Sequence, residues 1–323
     1  MRTRARSRPT LTHKIFIDGA AGTTGLEIAE RLAGRSEFTL VTLDDTQRKD
    51  AAARREALND ADVAILCLPD EAAREAVALI DPASGTRVID ASSAHRTADG
   101  WCYGFPELIG GERVADARRI SNPGCYPTGF LGLLAPLVKA DLLPAAWPYT
   151  VHAVSGYSGG GKALIERFET GKAPAFRGYG LAMGHKHLGE MQTHAGLAHA
   201  PVFSPAVVDA FRGMVVEIPL QLSAIEGAGE AAALLEALEA FYDGSQVVSV
   251  HPDFDLPSEL LLQPDANPRD DLQLFVFGSE DGTQARLIAM LDNLGKGASG
   301  AAVQNLNLLC GLPETAGLHL PSA

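Results

Sequence analysis

Lys14-Ile-Phe-Ile-Asp18-Gly19-Ala-Ala-Gly22-Thr-Thr-Gly25 decides the fold. Its first five residues are a short apolar run that reads as a buried strand. Glycines follow at once in the pattern G-x-x-G-x-x-G. Leu26 to Leu32 then places apolar residues at 26, 28, 29 and 32, the spacing of one helix face. A strand that enters a helix through glycines can cradle phosphate. No Cβ blocks the backbone, and the first helical N–H groups face the anion at the positive end of the dipole. Gly19, Ala21, Gly22, Thr23, Thr24 and Gly25 are the candidate dinucleotide cradle. The first gap is one residue longer than in the usual G-x-G-x-x-G, and an ordinary glycine-rich turn is the alternative.

Outward from that turn, strands and helices alternate. Phe38 to Leu43 reads as a strand, Ala51 to Leu58 as a helix and Asp62 to Leu68 as a strand closed by Pro69. Glu71 to Ile80 reads as a helix and Arg87 to Asp90 as a strand. Such alternation predicts a parallel sheet. Asp44, about 20 residues beyond the glycines, suits the ribose 2′-OH of NAD, whereas Arg48 and Lys49 suit the 2′-phosphate of NADP. The residues alone leave that choice open. After about residue 145 the texture changes. Tyr149 to Ser155, Met214 to Leu222, Gln246 to Val250, Gln273 to Gly278 and Ala285 to Leu291 read as longer strands, with a helix over Ala231 to Tyr242. They predict an α+β unit with a mostly antiparallel sheet and helices on one face. Gly300 to Leu309 is a final helix.

The whole chain has 323 residues, 46% of them hydrophobic, so it can bury a large core without staples. No apolar run approaches the ~18 residues of a membrane span. Net charge is −13, yet Arg2, Arg4, Arg6, Arg8 and Lys14 open the chain with five cations and no acid, which leaves the rest at −18. A body that acidic is a poor nucleic-acid binder. The basic arm has no apolar h-region, so it is no secretory signal, and it is expected to be disordered. Cys67, Cys102, Cys125 and Cys310 are far apart and form no C-x-x-C. That excludes a disulfide framework or zinc ribbon and fits a reduced, cytoplasmic setting.

Chemistry gathers in five further stretches. In Ser121-Asn-Pro-Gly-Cys125-Tyr-Pro127-Thr128 the proline suits a first helical turn, and an apolar helix follows over Gly129 to Lys139. Cys125 is therefore expected at a helix N-terminus, where the thiolate, the nucleophilic form, is stabilised. His185-Lys-His187-Leu-Gly-Glu190 supplies a proton shuttle, with Glu190 expected to orient His185. Were 187–194 helical, His187, Glu190 and His194 would share a face, but Gly189 weakens that helix and no metal site is expected. Ser155-Gly156-Tyr-Ser-Gly-Gly-Gly161-Lys162 reads as an anion or lid loop. Asn293-Leu-Gly295-Lys296-Gly297 opens the last helix. Ser92 and Arg96 follow a strand end, where α/β sites collect, and Arg96 suits a carboxylate or phosphate.

Taken together, Gly-Ala-Ala-Gly-Thr-Thr-Gly, Ser-Asn-Pro-Gly-Cys-Tyr-Pro-Thr, His-Lys-His-x-x-Glu and Asn-Leu-Gly-Lys-Gly-Ala-Ser-Gly resemble the N-acetyl-gamma-glutamyl-phosphate reductases of arginine biosynthesis, in their shorter type 2 branch. The resemblance spans about residues 14 to 312 and leaves out the basic arm. It implies an α/β fold like that of the glyceraldehyde-phosphate and aspartate-semialdehyde dehydrogenases. A Rossmann-like NADP-binding domain would comprise 14–122 and 297–323, and an α+β catalytic and dimerisation domain 123–296.

The resemblance also implies NADP(H), a homo-oligomer (dimer or tetramer), and small anionic partners, an acyl phosphate and phosphate, with no nucleic acid or membrane. Cys125 would be the nucleophile and His185 or His187 the acid–base, His185 being favoured. Arg48 and Asn293 would join the cofactor site. Ser92, Arg96, Ser155, Gly156, Lys162, His187 and Lys296 would hold the substrate. Many relatives carry Arg where this chain has Lys162, which replaces a bidentate fork by a point charge. The chemistry implied is Cys125 attack on the acyl phosphate, a thioester, and its reduction to the semialdehyde. The rivals are an aspartyl or N-acetyl-aminoadipyl acyl-phosphate reductase, a cofactor-free Cys–His acyltransferase, and a non-catalytic NADP sensor.

Overall fold

The computed structural model describes residues 12–44 and 46–321. The disorder expected of the basic arm falls on residues outside that range. In chain order the nucleotide half opens with β1 (His13–Asp18), α1 (Thr23–Leu32), β2 (Phe38–Val41), α2 (Ala51–Asp60), β3 (Val63–Leu66), α3 (Asp70–Leu79) and β4 (Arg87–Asp90). It continues through β5 (Cys102–Tyr103), the short helices α4 (Pro106–Ile109) and α5 (Gly111–Ala115), and β6 (Arg119–Ser121). These strands form one wholly parallel sheet in the order β2-β1-β3-β4-β6-β5. Both of its faces are covered, which is why β1 is apolar without alternation. Ile15 and Ile17 pack with Ile28 and Leu32 of α1, whereas Phe16 turns to Leu58 of α2 and Leu66.

The strand order reverses between β1 and β3, and ligands bind at such a switch point beyond the carboxyl ends of the strands. The glycine turn after β1 stands there. Gly19 has φ +90°, and a Cβ on it would lie 2.3 Å from the Cys67 carbonyl oxygen just beyond β3. The turn therefore packs on the neighbouring strand end, which only glycine permits.

α6 (Cys125–Lys139) leads into the second unit, which holds β7 (Thr150–Ser155), α7 (Lys162–Arg167), β8 (Phe176–Gly178), α8 (Leu188–His194), β9 (Val202–Val208) and β10 (Met214–Leu220). α9 (Ala231–Tyr242), β11 (Val248–Val250), β12 (Leu272–Gly278), β13 (Ala285–Leu291) and α10 (Gly300–Leu309) complete the chain. The second sheet runs β11-β12-β13-β10-β7-β9-β8, with parallel pairs β11–β12 and β7–β9 and the other pairs antiparallel. β10 alternates cleanly: Met214, Val216, Ile218 and Leu220 are buried in the same cluster as the apolar side of α6 and Leu234 and Leu238 of α9. α10 returns to the first unit, where Ala302, Val303, Leu306 and Leu309 join the cluster of Ile15, Ile65 and Ile89.

The expected elements are present, and the differences have local causes. The strands expected over Phe38 to Leu43 and Asp62 to Leu68 are shorter at their ends. α6 starts at Cys125 rather than Gly129, so Pro127 lies in its first turn. β8 and β9 were not anticipated, because Pro205 interrupts the one and β8 is only three residues long.

Candidate active site

Gly124 is the N-cap of α6, and no side chain of that helix start closes its first N–H groups. Glu190, 2% exposed on α8, does so from across the fold: its Oε1 accepts the Gly124 N–H at 2.7 Å. The same oxygen accepts the Tyr103 hydroxyl at 2.7 Å, and Oε2 accepts Arg96 Nη1 at 3.0 Å. Arg96 also donates through Nε to the Asn122 carbonyl at 3.0 Å and through Nη2 to the Ala91 carbonyl at 3.2 Å. His194 lies 2.6 Å from the Arg96 carbonyl through Nε2 and stacks on Tyr103 with centroids 3.7 Å apart. A buried charge is tolerable only when paired and hydrogen-bonded, and both partners here are.

The expectation that Glu190 orients His185 is therefore corrected. Its carboxylate is taken up by Gly124, Tyr103 and Arg96. His185 instead accepts the His187 N–H on Nδ1 at 3.2 Å. That contact puts the neutral ring's proton on Nε2. His187 is buried, its ring 4.8 Å from that of His185, and its Nδ1 has no hydrogen-bond partner. Burial is the main cause that lowers the pKa of both histidines, with the Lys186 charge next for His185 and the Arg96 charge next for His187. Burial likewise raises the Cys125 thiol, while the Arg96 charge, the Tyr126 N–H and Lys186 pull it down. Cys67 is pushed up to about 12 by burial and the charges of Asp90 and Asp18, so it is inert beside Cys125.

Cys125 opens into a cleft of about 820 Å³. Gly22, Thr23, Thr24 and Gly25 line one end. No side chain caps the start of α1, so its N–H groups are available to an anion, as a dinucleotide pyrophosphate requires. A Cβ on Gly22 would meet nothing nearer than 3.4 Å, so the protein's own packing does not demand glycine there. Arg96, Lys162, Arg167, Arg177 and Lys186 line the cleft, and among the described residues no Asp or Glu does so. Ser155, Gly156, His185, His187 and Asn293 line it too. Asn293 is buried, donates to Ser158 Oγ at 2.9 Å and accepts the Gly213 N–H at 3.0 Å, so it braces the 155–161 glycine loop.

Several expected site residues are engaged within the protein. Lys296 is 2% exposed, with Nζ 2.7 and 2.8 Å from the two Glu107 oxygens and 2.7 Å from Gln304 Oε1. It is an internal pin and leaves no charge for a substrate. Ser92 gives its hydroxyl to Asp90 Oδ2 at 2.8 Å, away from the cleft lining. Arg96 reaches the cleft with three of its five N–H donors taken by Glu190, Asn122 and Ala91. Beyond β2, Asp44 is exposed and accepts the Thr46 and Gln47 N–H groups, while Arg48 is exposed in the turn that follows. α8 does form despite Gly189. Among the described residues no group of three His, Cys, Asp or Glu gathers for a metal, because Glu190 and His194 serve Arg96.

Sequence reasoning passed over Tyr103, Arg167, Arg177 and Lys186. Lys186 lies between the two histidines and Arg177 precedes them, and each carried a readable signal, its positive charge. Tyr103 carried none.

Residues 14–117 match the semialdehyde dehydrogenase NAD-binding domain family, and residues 125–293 the semialdehyde dehydrogenase dimerisation domain family. The chain is 50% identical over 321 residues to N-acetyl-gamma-glutamyl-phosphate reductase 2 of Nostoc sp., which covers 94% of this chain and 99% of that protein. It is 52% identical over 312 residues to N-acetyl-gamma-glutamyl-phosphate reductase 2 of Pseudomonas putida, which covers 95% and 99%. It is 48% identical over 308 residues to the N-acetyl-gamma-glutamyl-phosphate reductase of Brucella ovis, which covers 92% and 99%. Among solved structures, aspartate-semialdehyde dehydrogenase II of Vibrio cholerae has a TM-score of 0.64 at 18% identity, covering 92% of this chain and 98% of that one. The Francisella tularensis aspartate-semialdehyde dehydrogenase has a TM-score of 0.66 at 15% identity, covering 92% and 100%. At those identities the likeness speaks for the fold alone.

Proposed function

Because the chain belongs to the N-acetyl-gamma-glutamyl-phosphate reductase family, we propose that its cleft reduces N-acetyl-gamma-glutamyl phosphate to N-acetyl-glutamate 5-semialdehyde and phosphate, using NADP(H), as a step of arginine biosynthesis. One observation carries the reading: Cys125, at the start of α6, shares a carboxylate-free, cation-lined cleft with the uncapped start of α1. Gly22 to Gly25 would hold the pyrophosphate, and the bound nicotinamide supplies a hydride. Everything else falls to the chain's own residues. The Cys125 thiolate attacks the acyl carbonyl and phosphate leaves toward the cleft cations. A thioester on Cys125 is reducible where a carboxylate is not, so the covalent step is what makes reduction accessible. The tetrahedral thiohemiacetal left on sulfur carries its charge on oxygen. His185, with its proton on Nε2, donates a hydrogen bond to that oxygen as the charge develops and loosens it as the aldehyde departs and the thiolate is restored. Lys162, Arg167, Arg177 and Lys186 are the cations for the phosphate and carboxylate of the substrate.

The nucleotide unit comprises 14–122 and 297–323, and the catalytic unit 123–296, a division supported by the packing of α10 on β1, β3 and β4. The match to a dimerisation domain supports a homo-oligomer, a dimer or tetramer. Four free cysteines, and the lack of a membrane-length apolar helix among the described residues, agree with work in the cytoplasm.

The test follows NADP⁺ reduction at 340 nm with N-acetyl-glutamate 5-semialdehyde and phosphate. Activity that depends on phosphate and disappears in Cys125→Ser is expected. NADPH binding without activity would point to the aspartyl or aminoadipyl analogues. No NADPH binding would favour a cofactor-free acyltransferase.

A further inference from the structure

A cysteine nucleophile needs a positive neighbour to hold its charged form. In many Cys–His sites that neighbour is the protonated histidine itself. Here the buried surroundings of Cys125 argue for another arrangement. We propose that Arg96, and not a histidine, is the fixed counter-charge of the Cys125 thiolate, with Glu190, Tyr103 and His194 as the frame that holds Arg96 in place. The proposal rests on the reading of Cys125 as the nucleophile and deepens it.

The geometry carries the argument. Arg96 is 8% exposed, and its guanidinium is fixed by three acceptors on three segments: Glu190 Oε2, the Asn122 carbonyl and the Ala91 carbonyl. A Cβ on Gly124, the residue before Cys125, would lie 2.5 Å from Arg96 Nη1, so the cation packs directly on the start of α6. Glu190 meets the Gly124 N–H through its other oxygen. The helix start, its capping carboxylate and the cation are thus one rigid unit. Tyr103 closes the unit through its hydroxyl, and His194 beneath it meets the Arg96 carbonyl.

Among the other charged or titratable groups around the thiol, the Glu190 charge opposes the thiolate, but less than Arg96 favours it. Lys186 is exposed and screened by solvent. Lys296, on the turn whose Gly297 abuts Cys125, points away to Glu107. Tyr126 and Tyr179 have pKa values raised by burial and stay neutral. His187 packs against Gly124 beside Arg96, where burial first and then the arginine oppose its protonation, and His185 is likewise disfavoured by burial and Lys186. An imidazolium is therefore the wrong partner at this site, and the guanidinium, always charged, is the right one.

The pH dependence of iodoacetamide alkylation of the full-length protein tests this without any turnover. Subtracting the rate in Cys125→Ser isolates Cys125. Arg96→Gln is expected to raise the midpoint by about 1–3 pH units, the effect of an adjacent opposite charge. Arg96→Lys should recover part of that shift, and Lys186→Met should move the midpoint less and only at low salt. His185→Asn and His187→Asn should leave it in place, although His185→Asn lowers turnover. A midpoint that rises in either histidine variant overturns the proposal, as does one that stays put in Arg96→Gln. Should Arg96→Gln fail to fold, the histidine variants still decide. A fast-reacting thiol that survives Cys125→Ser would instead refute the nucleophile reading.

Discussion

Replacing Lys296 by Met separates a structural pin from a substrate ligand. The ammonium is 2% exposed, lies within 2.8 Å of both Glu107 oxygens, and sits 4.9 Å above the Phe105 ring. Its removal leaves a carboxylate with 6% side-chain exposure and no cation. Breaking a buried pair from one side costs about 3–5 kcal/mol. Gln304 Nε2 still donates to Glu107 Oε1 at 2.9 Å, which puts the expectation near the lower end, about 3 kcal/mol. Lys296→Met with Glu107→Gln removes the stranded charge and should cost about 1 kcal/mol, the scale of an ordinary lost hydrogen bond. The double-mutant cycle therefore shows a coupling of about 2 kcal/mol or more, within the range for contacting residues. Urea unfolding followed by fluorescence of Trp101 and Trp147 reads it. Were Lys296 a phosphate ligand instead, Lys296→Met would leave the urea midpoint within the noise and raise KM for phosphate. That result would refute the reasoning, as would a double variant no more stable than Lys296→Met alone.

The glycine turn offers a contrast. Gly19→Ala forces a left-handed residue against the Cys67 carbonyl and should cost more than the ~1–2 kcal/mol of backbone strain alone, seen as a lowered urea midpoint. Gly22→Ala has room within the protein and should hold stability within ~0.5 kcal/mol, yet weaken NADPH binding at least tenfold by fluorescence titration; unchanged NADPH affinity would show that nothing approaches there. On acidification, His185, His187, His194 and His251 have pKa values lowered by burial from the ordinary 6.5. The unfolded chain then binds protons that the folded one refuses, so stability is full above pH 6.5 and falls as pH drops through it. His187→Asn should flatten that slope between pH 7.5 and 5.5, and an unaltered slope would show that His187 is protonated in the fold. Lys162→Met should raise KM for phosphate at low salt with an unchanged urea midpoint, and the difference should shrink at high salt; equal KM at all salt concentrations would remove Lys162 from the site.

The nucleotide unit was the more legible half, and the reason is physical. A parallel strand buried on both faces is a continuous apolar run, and the turn after it tolerates only glycine at Gly19 and Gly25, where a Cβ would meet backbone oxygen or carbon. Such constraints are local and leave marks in neighbouring letters. The start of α6 was readable for the same reason, since Pro127 suits a first helical turn, although Pro136 stands inside the same helix. β9 was not, because its pairing with β7 and β8 holds Pro205 in a strand against its propensity. The partners of the buried charges were equally hidden. Glu190 meets Gly124 from 66 positions away and Arg96 from 94, and Lys296 meets Glu107 from 189. A Lys in a glycine-rich motif at a cleft looks like a phosphate ligand until the chain that carries its carboxylate folds beside it.

Charge bookkeeping links these buried pairs to the chemistry. The protein carries −13 and its proposed substrate is an anion, so the long-range field opposes binding. Most interior acids add little to that field at the cleft, because a cation matches them on site; Asp90 instead meets His95 and the Ser92 hydroxyl. Asp18 pairs with Arg54, Glu107 with Lys296, Glu190 with Arg96 and Asp270 with Arg31. Of the five cations lining the cleft, Arg96 is the one held in an ion pair among the described residues. Four positive charges then remain at Lys162, Arg167, Arg177 and Lys186. A phosphoryl group of about −1.5 to −2 and one carboxylate sum to roughly three negative charges, so the four cations can neutralise them. Pairing most of its buried acids with an arginine or lysine thus helps an acidic protein to present a cationic cleft. Arg96, the most buried of the five and the one tied to Glu190, is instead fixed beside the start of α6.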